Sequence, residues 1–173
     1  MSIVDFIWPV FFPLVAAIIS AAHIYLKKYS GGTAMGNFLM WQLAVGFGLS
    51  LLWDGFGHLV FPNQVAESIG WPTGSPFQRE VGMWDAAMGI TGLLCLKFRD
   101  EFWIAMITGA GLFSIAAGLG HVWELVVQGD TAPNNAGAVM YMDIFFPVFL
   151  AALFLWYWKR KRDSTRSLAP SDP

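Results

Sequence analysis

Long apolar stretches dominate the chain, and five of them predict transmembrane helices. A helix needs about 20 mostly apolar residues to cross the hydrocarbon core of a bilayer. The predicted spans are residues 4–26, 38–61, 81–98, 102–127 and 138–158. The polar tail, residues 163–173, is predicted to be disordered and cytoplasmic. The pattern therefore predicts an all-α integral membrane protein with a single transmembrane domain over residues 1–162.

The segment between the second and third spans, residues 63–79, is more than a plain linker. Val65, Ile69, Trp71 and Phe77 stand among its polar residues. This mixture predicts a short helix followed by a Pro/Gly turn. Two interpretations stay open: an interfacial anchor on the membrane surface, or a lid over a site.

The basic residues predict the orientation of the spans. Cytoplasmic loops carry an excess of Lys and Arg. With an external N-terminus, nine of the ten basic residues fall on the cytoplasmic side, namely Lys27, Lys28, Lys97, Arg99, Lys159, Arg160, Lys161, Arg162 and Arg166. Only Arg79 is left outside. We therefore expect a multi-pass protein of the inner (plasma) membrane with a cytoplasmic C-terminus.

Composition agrees with this class and excludes others. Of 173 residues, 56% are hydrophobic and only 13% are charged, too few to cover the surface of a soluble domain. The single cysteine, Cys95, excludes an intrachain disulfide. The only basic run follows an apolar span, so no nucleic-acid partner is expected. The lipid bilayer is the expected partner, and assembly into a homo-oligomer or a larger membrane complex stays open.

Two sequence patterns indicate an internal repeat. Spans two and four end in Gly-x-Gly-His followed by two apolar residues, at Gly55–Val60 and Gly118–Trp123. The spans that follow share Val and, four residues later, Asp, at 81–85 and 139–143. We interpret spans two and three as one copy and spans four and five as a second, parallel copy. Together they would form a four-helix bundle with span one packed outside. Chance similarity between two glycine-rich helices is the alternative.

Ionisable residues gather in the outer ends of spans two to five. At 1.5 Å per residue, they lie roughly 6 to 12 Å beneath the outer ends of their helices. Asp54 and His58 share one helix face at i and i+4, and His121 and Glu124 share another at i and i+3. Asp85 and Asp143 lie at the same depth, and Glu80 lies at the rim. Because charges inside a membrane are costly, such a layer usually faces the interior of a bundle.

Imidazole and carboxylate groups together suit a divalent Zn, Fe, Mn or Cu ion. The predicted metal ligands are His58, His121, Asp85 and Asp143. Asp54, Glu80 and Glu124 are the predicted catalytic acid–base groups. A metal-free proton or ligand site and a purely structural polar network remain alternatives. Glu80 has a second interpretation as a surface charge at a helix start, and His23 is interpreted as interfacial and remote from the site.

Three segments, residues 58–62, 69–72 and 76–82, resemble those of small bacterial membrane proteins in a family of unknown function. That resemblance implies the topology and no activity. The Asp54-x-x-x-His58 pair resembles part of the metal motif of a subunit of particulate methane and ammonia monooxygenases. That motif carries a second histidine, and none follows here before span four. The five-helix layout with acidic residues and histidines also resembles emopamil-binding-type isomerases.

The sequence thus favours a membrane protein with a buried His/carboxylate site near its outer face. The site is expected to bind a divalent transition metal and to act on a small or lipid-soluble substrate, as a possible membrane metalloenzyme. Two alternatives are a proton- or metal-coupled carrier and a non-catalytic accessory subunit of a membrane complex. Against the carrier, the cytoplasmic halves of spans two to five hold almost no ionisable residues.

Overall fold

A computed structural model describes the backbone of residues 3–167 and the side chains of residues 7–165. Within those residues the chain is helical and contains no strand. The α-helices are α1 (Ile3–Lys27), α2 (Gly31–Trp41), α3 (Ser50–Val60), α4 (Pro62–Ile69), α5 (Phe77–Leu94), α6 (Glu101–Trp123) and α7 (Ala138–Ser167). Gln42–Leu49 is a π-helical segment that joins α2 to α3 in one continuous helix, and Glu124–Gln128 is a π-helical turn that extends α6.

Among the described residues, four helices are long and apolar enough to cross a membrane. They are Ile7–Lys27, Gly31–Val60, Glu101–Gln128 and Ala138–Thr165. This result is consistent with a multi-pass membrane protein. The third predicted span corresponds to α5, which is helical but carries Arg79, Glu80 and Asp85 and is not among the four. Five spans therefore stay a prediction.

Several predicted boundaries differ from the observed ones. The second long helix begins at Gly31, earlier than the predicted residue 38, because glycines and small polar residues continue the helix. Helix α7 runs to Ser167, so residues 163–167 are helical rather than disordered. The rest of the predicted tail, residues 168–173, lies outside the described residues. The expected short helix between spans two and three is α4, which Gly70 ends in the left-handed conformation.

Glycines bring the helices into two close pairs. In the first pair, α3 packs on α5: a Cβ added at Gly55 would lie 2.9 Å from the carbonyl oxygen of Gly82 and the amide nitrogen of Ala86. In the second, α6 packs on α7: a Cβ added at Gly118 would lie 2.6 Å from Cγ1 of Ile144. Small residues permit this approach, which tightens van der Waals packing between helices.

The two pairs meet at the end of the bundle that carries most of the basic residues. The fully buried side chains Leu39, Leu43, Trp103, Met106 and Leu150 form the core there. Helix α1 lies outside the two pairs and packs on α2, on the π-helical segment and on α7. The apolar core is therefore concentrated in one half of the bundle, and the other half is left for the site.

Candidate functional site

A cavity of about 590 Å³ lies between the two helix pairs, at the end opposite the basic residues. Its walls come from α3, α4, α5, α6 and α7, with Trp8 of α1. Most of the lining is apolar or aromatic. The ionisable residues that line it are Asp54, His58, Asp85, His121 and Asp143. Five of the seven predicted site residues therefore face one cavity.

His121 is held by a hydrogen bond at Nδ1 and by a tryptophan ring stacked on its face. Its Nδ1 lies 2.8 Å from Oδ1 of Asn135, whose amide nitrogen donates to the carbonyl oxygen of Asp130 at 2.8 Å. Because that amide is oriented by Asp130, its oxygen faces the ring and accepts the Nδ1 hydrogen. Trp71 stacks on the ring with the centroids 6.3 Å apart. These contacts leave Nε2 as the nitrogen that is available for chemistry.

Nε2 of His121 faces Asp143. It lies 3.8 Å from Oδ2 of Asp143, while the hydroxyl of Ser114 donates to Oδ1 at 3.1 Å. Asp143 is only partly buried, with 26% of its side chain exposed, so part of the carboxyl faces the cavity. At 3.8 Å the two atoms are too far apart for a direct hydrogen bond, so each can contact a molecule in the cavity. The pair therefore offers an acid–base site beside the cavity.

His58 has a similar arrangement in the other helix pair. Its Nδ1 lies 2.6 Å from Oε1 of Gln78, a side chain that is only 2% exposed at the start of α5. Gly82 makes room for this histidine, because a Cβ at that position would lie 2.9 Å from Cβ of His58. Each cavity histidine thus has a buried side-chain amide oxygen at its Nδ1. One amide belongs to Gln78, in the same helix as Asp85, and the other to Asn135, in the loop before the helix of Asp143.

Asp54 and Asp85 differ from Asp143 in having no hydrogen-bond donor or cation among the described residues. Asp85 is 4% exposed, and Asp54 is partly buried. Asp85 sits at a close approach of α3 and α5: a Cβ added at Gly55 would lie 3.3 Å from Cβ of Asp85. Asp54, Asp85 and Asp143 all line the same cavity. This part of the cavity therefore contains carboxyl groups that have no partner among the described residues.

The remaining predicted residues do not reach the cavity. Glu80 is exposed at the first turn of α5, and Glu124 is partly buried at the start of the π-helical turn. Neither side chain lines the cavity. His23 lies at the other end of the bundle, where its Nδ1 is within 3.0 Å of Asn37 Nδ2 and 3.1 Å of Trp41 Nε1. Of the three predicted catalytic carboxyls, only Asp54 faces the cavity.

A model of a family of unknown function (DUF6790) matches residues 6–163, nearly the whole chain. The chain belongs to this family. An uncharacterised family is what the three sequence segments led us to expect, and DUF6790 carries no assigned activity. The comparisons with curated proteins and with solved structures give no match. The likenesses to the monooxygenase motif and to the isomerases therefore stay predictions.

The DUF6790 chain covers its cavity with α4 and the loop that follows the π-helical turn. The backbone amide of Asn134 donates to the carbonyl oxygen of Ser68 at 3.0 Å, and the side-chain nitrogen of Asn134 donates to the Ser68 hydroxyl at 3.0 Å. Gly70 has a φ of +86°, and a side chain there would collide with the carboxyl of Asp130. The segment predicted as an anchor or a lid is therefore tied across the roof of the cavity.

The predicted metal ligands of the DUF6790 chain share a cavity without forming a compact metal group. Among the histidine–carboxylate pairs of the described residues, His121 and Asp143 come within 4 Å of one another, at 3.8 Å. Among the described side chains, no three His, Cys, Asp or Glu are grouped closely enough to hold one metal ion. A metal at this site would have to draw the ligands together as it binds.

Sequence reasoning missed three polar residues of this site in the DUF6790 chain. Gln78, Ser114 and Asn135 are buried and contact a cavity histidine or aspartate. A signal existed for Ser114, a polar residue in an otherwise apolar predicted span. Gln78 and Asn135 lie in segments that the sequence predicts as polar connections, where amide side chains are common, so no sequence pattern distinguishes them.

Proposed function

We propose that this DUF6790 chain is a membrane protein that binds a small, lipid-soluble molecule in the cavity and exchanges a proton with it. The observation that carries the proposal is the convergence of three carboxyls and two imidazoles on one largely apolar cavity. Its volume of about 590 Å³ is in the range of small-molecule sites, roughly 300–1,000 Å³. Such sites are mostly apolar, with a few polar groups that fix the orientation of the ligand.

The proposed proton donor and acceptor is the His121–Asp143 pair. Asn135 fixes the tautomer of the histidine, and Ser114 holds one oxygen of the aspartate. The second oxygen lies 3.8 Å from Nε2, and these two atoms can give a proton to a bound molecule or take one from it. A fixed acid–base pair beside an apolar pocket supports either proton-transfer catalysis or proton-linked binding.

We propose the five-span topology with the N-terminus outside and the C-terminus in the cytoplasm. All described Lys and Arg side chains except Arg79 belong to the end opposite the cavity, which favours a cytoplasmic location for that end in an inner membrane. The cavity would then lie on the external side. Helix α5 would cross the membrane with Asp85 facing inward, as intramembrane carboxyls generally do.

The contacts around the two aspartates support an internal repeat. Gly55 meets Gly82, Asp85 and Ala86 in the first helix pair. Gly118 meets Met140, Asp143 and Ile144 in the second. These partners have the same spacing, i, i+3 and i+4, and the histidine stands three residues after the glycine in both pairs. We infer that the cavity is built from two copies of one helix-pair unit.

A divalent metal held by His58, His121, Asp85 and Asp143 is a second candidate. It is favoured by the amide oxygens on Nδ1 of both histidines, because metal-binding histidines usually have their other ring nitrogen fixed in this way. Elemental analysis of protein expressed in metal-replete medium should then find a bound transition metal that is lost in His58→Ala and His121→Ala. A metal-free wild-type protein would exclude this candidate and leave the ligand site standing.

The carrier and accessory alternatives are less well supported. A carrier needs a path through both halves of the bundle, and the buried core around Leu43, Trp103 and Leu150 fills the half below the cavity. An accessory subunit needs no cavity of this size. Uptake into proteoliposomes, and co-purification with a larger complex, would support these two alternatives respectively.

The ligand site is tested by filling the cavity from one wall. Gly120 lines the cavity and has no atom within 4 Å of an added Cβ, so Gly120→Leu adds volume there without a backbone clash. Binding of the uncharged probe naphthylethanol would be measured by equilibrium dialysis against phosphatidylcholine nanodiscs with and without protein. We expect Gly120→Leu to weaken binding about tenfold or more, because the leucine occupies space that the probe needs.

The matched control is Gly109→Leu on the same helix. Gly109 is also open to an added Cβ but does not line the cavity, so this variant should bind the probe as the wild type does. If the wild-type protein binds no more probe than empty nanodiscs do, the proposed ligand site is wrong. If both leucine variants weaken binding equally, the probe binds elsewhere.

A further inference from the structure

The cavity lining includes three aspartates and two histidines, but no Lys or Arg among the described residues. Asp54, Asp85 and Asp143 face the cavity. Three carboxyl groups around one cavity make a further negative charge there unfavourable. An anionic ligand is therefore disfavoured, and a cationic one is favoured.

Asp85 lacks the hydrogen-bond and charge partners that Asp143 has. Asp143 is served by Ser114 and His121, so its carboxyl has partners within the protein. Asp85 is 4% exposed, borders the cavity and has no donor or cation among the described residues. A buried carboxyl without a partner is costly, and it is normally paired or hydrogen-bonded. The missing partner has to come from the cavity side.

The walls beside the carboxyls are aromatic. Trp53 and Phe56 stack with their ring centroids 6.1 Å apart, and both line the cavity. Trp71 and Phe113 line it from other elements. Aromatic faces attract organic cations and also accommodate an apolar body. Carboxyl groups beside such walls match a molecule that is apolar over most of its surface and carries one basic group.

We infer that the ligand is a lipid-soluble amine whose ammonium group pairs with Asp85, with Asp54 near by, and whose apolar part lies along the aromatic walls. This inference rests on the proposed function, because it names the chemical class that the cavity takes. It assigns Asp85 a role in selecting the ligand, distinct from the proton-exchanging pair at His121 and Asp143.

The test compares two probes that differ in charge and little in shape. Naphthylethylamine and naphthylethanol would be dialysed at neutral pH against protein in phosphatidylcholine nanodiscs, with empty nanodiscs subtracted. We expect the amine to bind at least about tenfold more tightly than the alcohol, because its ammonium group can form a desolvated ion pair with Asp85. In Asp85→Asn the two probes should bind within about threefold of each other, which is less than 1 kcal/mol.

Two further variants complete the test. Glu101→Gln removes one exposed negative charge at the opposite end of the bundle and should keep the preference for the amine. If Asp85→Asn does not accumulate as folded protein, Asp54→Asn removes the less buried carboxyl of the same group and should reduce the preference.

The outcomes separate this inference from the proposal on which it rests. If the wild type binds the alcohol and the amine with equal affinity, and Gly120→Leu weakens the binding of both, the cavity is a ligand site and the amine inference is wrong. If the amine preference survives in both aspartate variants, Asp85 and Asp54 do not select the ligand. If neither probe exceeds empty nanodiscs, the proposed function falls as well.

Discussion

At the scale of single residues, two buried amides determine how the cavity histidines are presented. Asn135 is fully buried and Gln78 nearly so, and each places its side-chain oxygen at Nδ1 of a histidine. An amide acceptor fixes the ring orientation and the tautomer without adding charge. The histidines can therefore direct Nε2 to the cavity while the surrounding walls remain apolar.

Replacing Asn135 by leucine tests this residue-level arrangement. The change leaves Nδ1 of His121 and the carbonyl oxygen of Asp130 without their partners, and buried groups that lose partners cost about 1–3 kcal/mol. We expect that loss in the free energy of unfolding, measured by titration with sodium dodecyl sulfate in mixed micelles. The control Asn63→Leu removes only a bond to the exposed amide of Gly74 and should change it by less than about 0.5 kcal/mol. Equal effects would contradict the role of Asn135.

The residues that could be predicted from sequence were those whose presence in a membrane is itself unusual. Asp54, His58, Asp85, His121 and Asp143 stood out because ionisable groups are rare in apolar spans, and they do face one cavity. Glu80 and Glu124 stand near the ends of helices, where a carboxylate is easily solvated, so depth alone could not place them. Gln78 and Asn135 depend on how the loops fold back, which no local pattern encodes.

At the scale of elements, the bundle contains two helix pairs, and each pair packs closely at a glycine. Gly55 and Gly118 each stand opposite an aspartate on the partner helix, and neither position has room for a side chain. Helix existence and approximate bounds followed from apolar length, because membrane helices leave a strong signal. The π-helical segment Gln42–Leu49 could not be predicted, since it arises from packing between helices that are distant in sequence.

A methyl group at Gly118 tests the second helix pair. In Gly118→Ala the new Cβ would lie 2.6 Å from Cγ1 of Ile144 and 3.0 Å from Cβ of Asp143, so α6 and α7 must separate. We expect a loss of about 1–3 kcal/mol in the free energy of unfolding, as is typical of overpacking. Gly109→Ala on the same helix meets nothing within 4 Å and should be neutral or stabilise by about 0.5–1 kcal/mol. Similar losses in both variants would contradict the close contact at Gly118 as their cause, because a methyl group at Gly109 meets no neighbouring atom.

At the scale of the whole molecule, the two ends of the bundle have opposite character. One end carries the packed core and almost all of the basic residues, with Lys161 and Tyr157 both bonded to Asp100. The other carries the cavity, the acidic layer and a roof tied by Asn134 and Ser68. This polarity favours one orientation in a membrane, and in the proposed topology α5 would connect the external end of the bundle to the cytoplasmic one.

Cysteine labelling in intact cells tests this topology. The only native cysteine, Cys95, is fully buried, so the wild-type chain serves as the unlabelled control. Thr73→Cys, in the exposed turn after α4, should react with a membrane-impermeant maleimide in intact cells. Lys97→Cys and Asp163→Cys, both exposed at the basic end, should react only after lysis. Reaction of Thr73→Cys and Lys97→Cys on the same side would mean that α5 does not cross.

Asp85 and Asp143 each lie opposite a glycine where two helices pack closely, and this placement has a consequence for how such proteins diverge. Outward-facing side chains of this fold are free to drift, because lipid tails accept many apolar shapes. A substitution at either helix crossing would instead displace the aspartate carboxyl there before it unfolds the chain. Selection would then remove copies that still fold but hold the carboxyl in the wrong place, so architecture and chemistry would be inherited together.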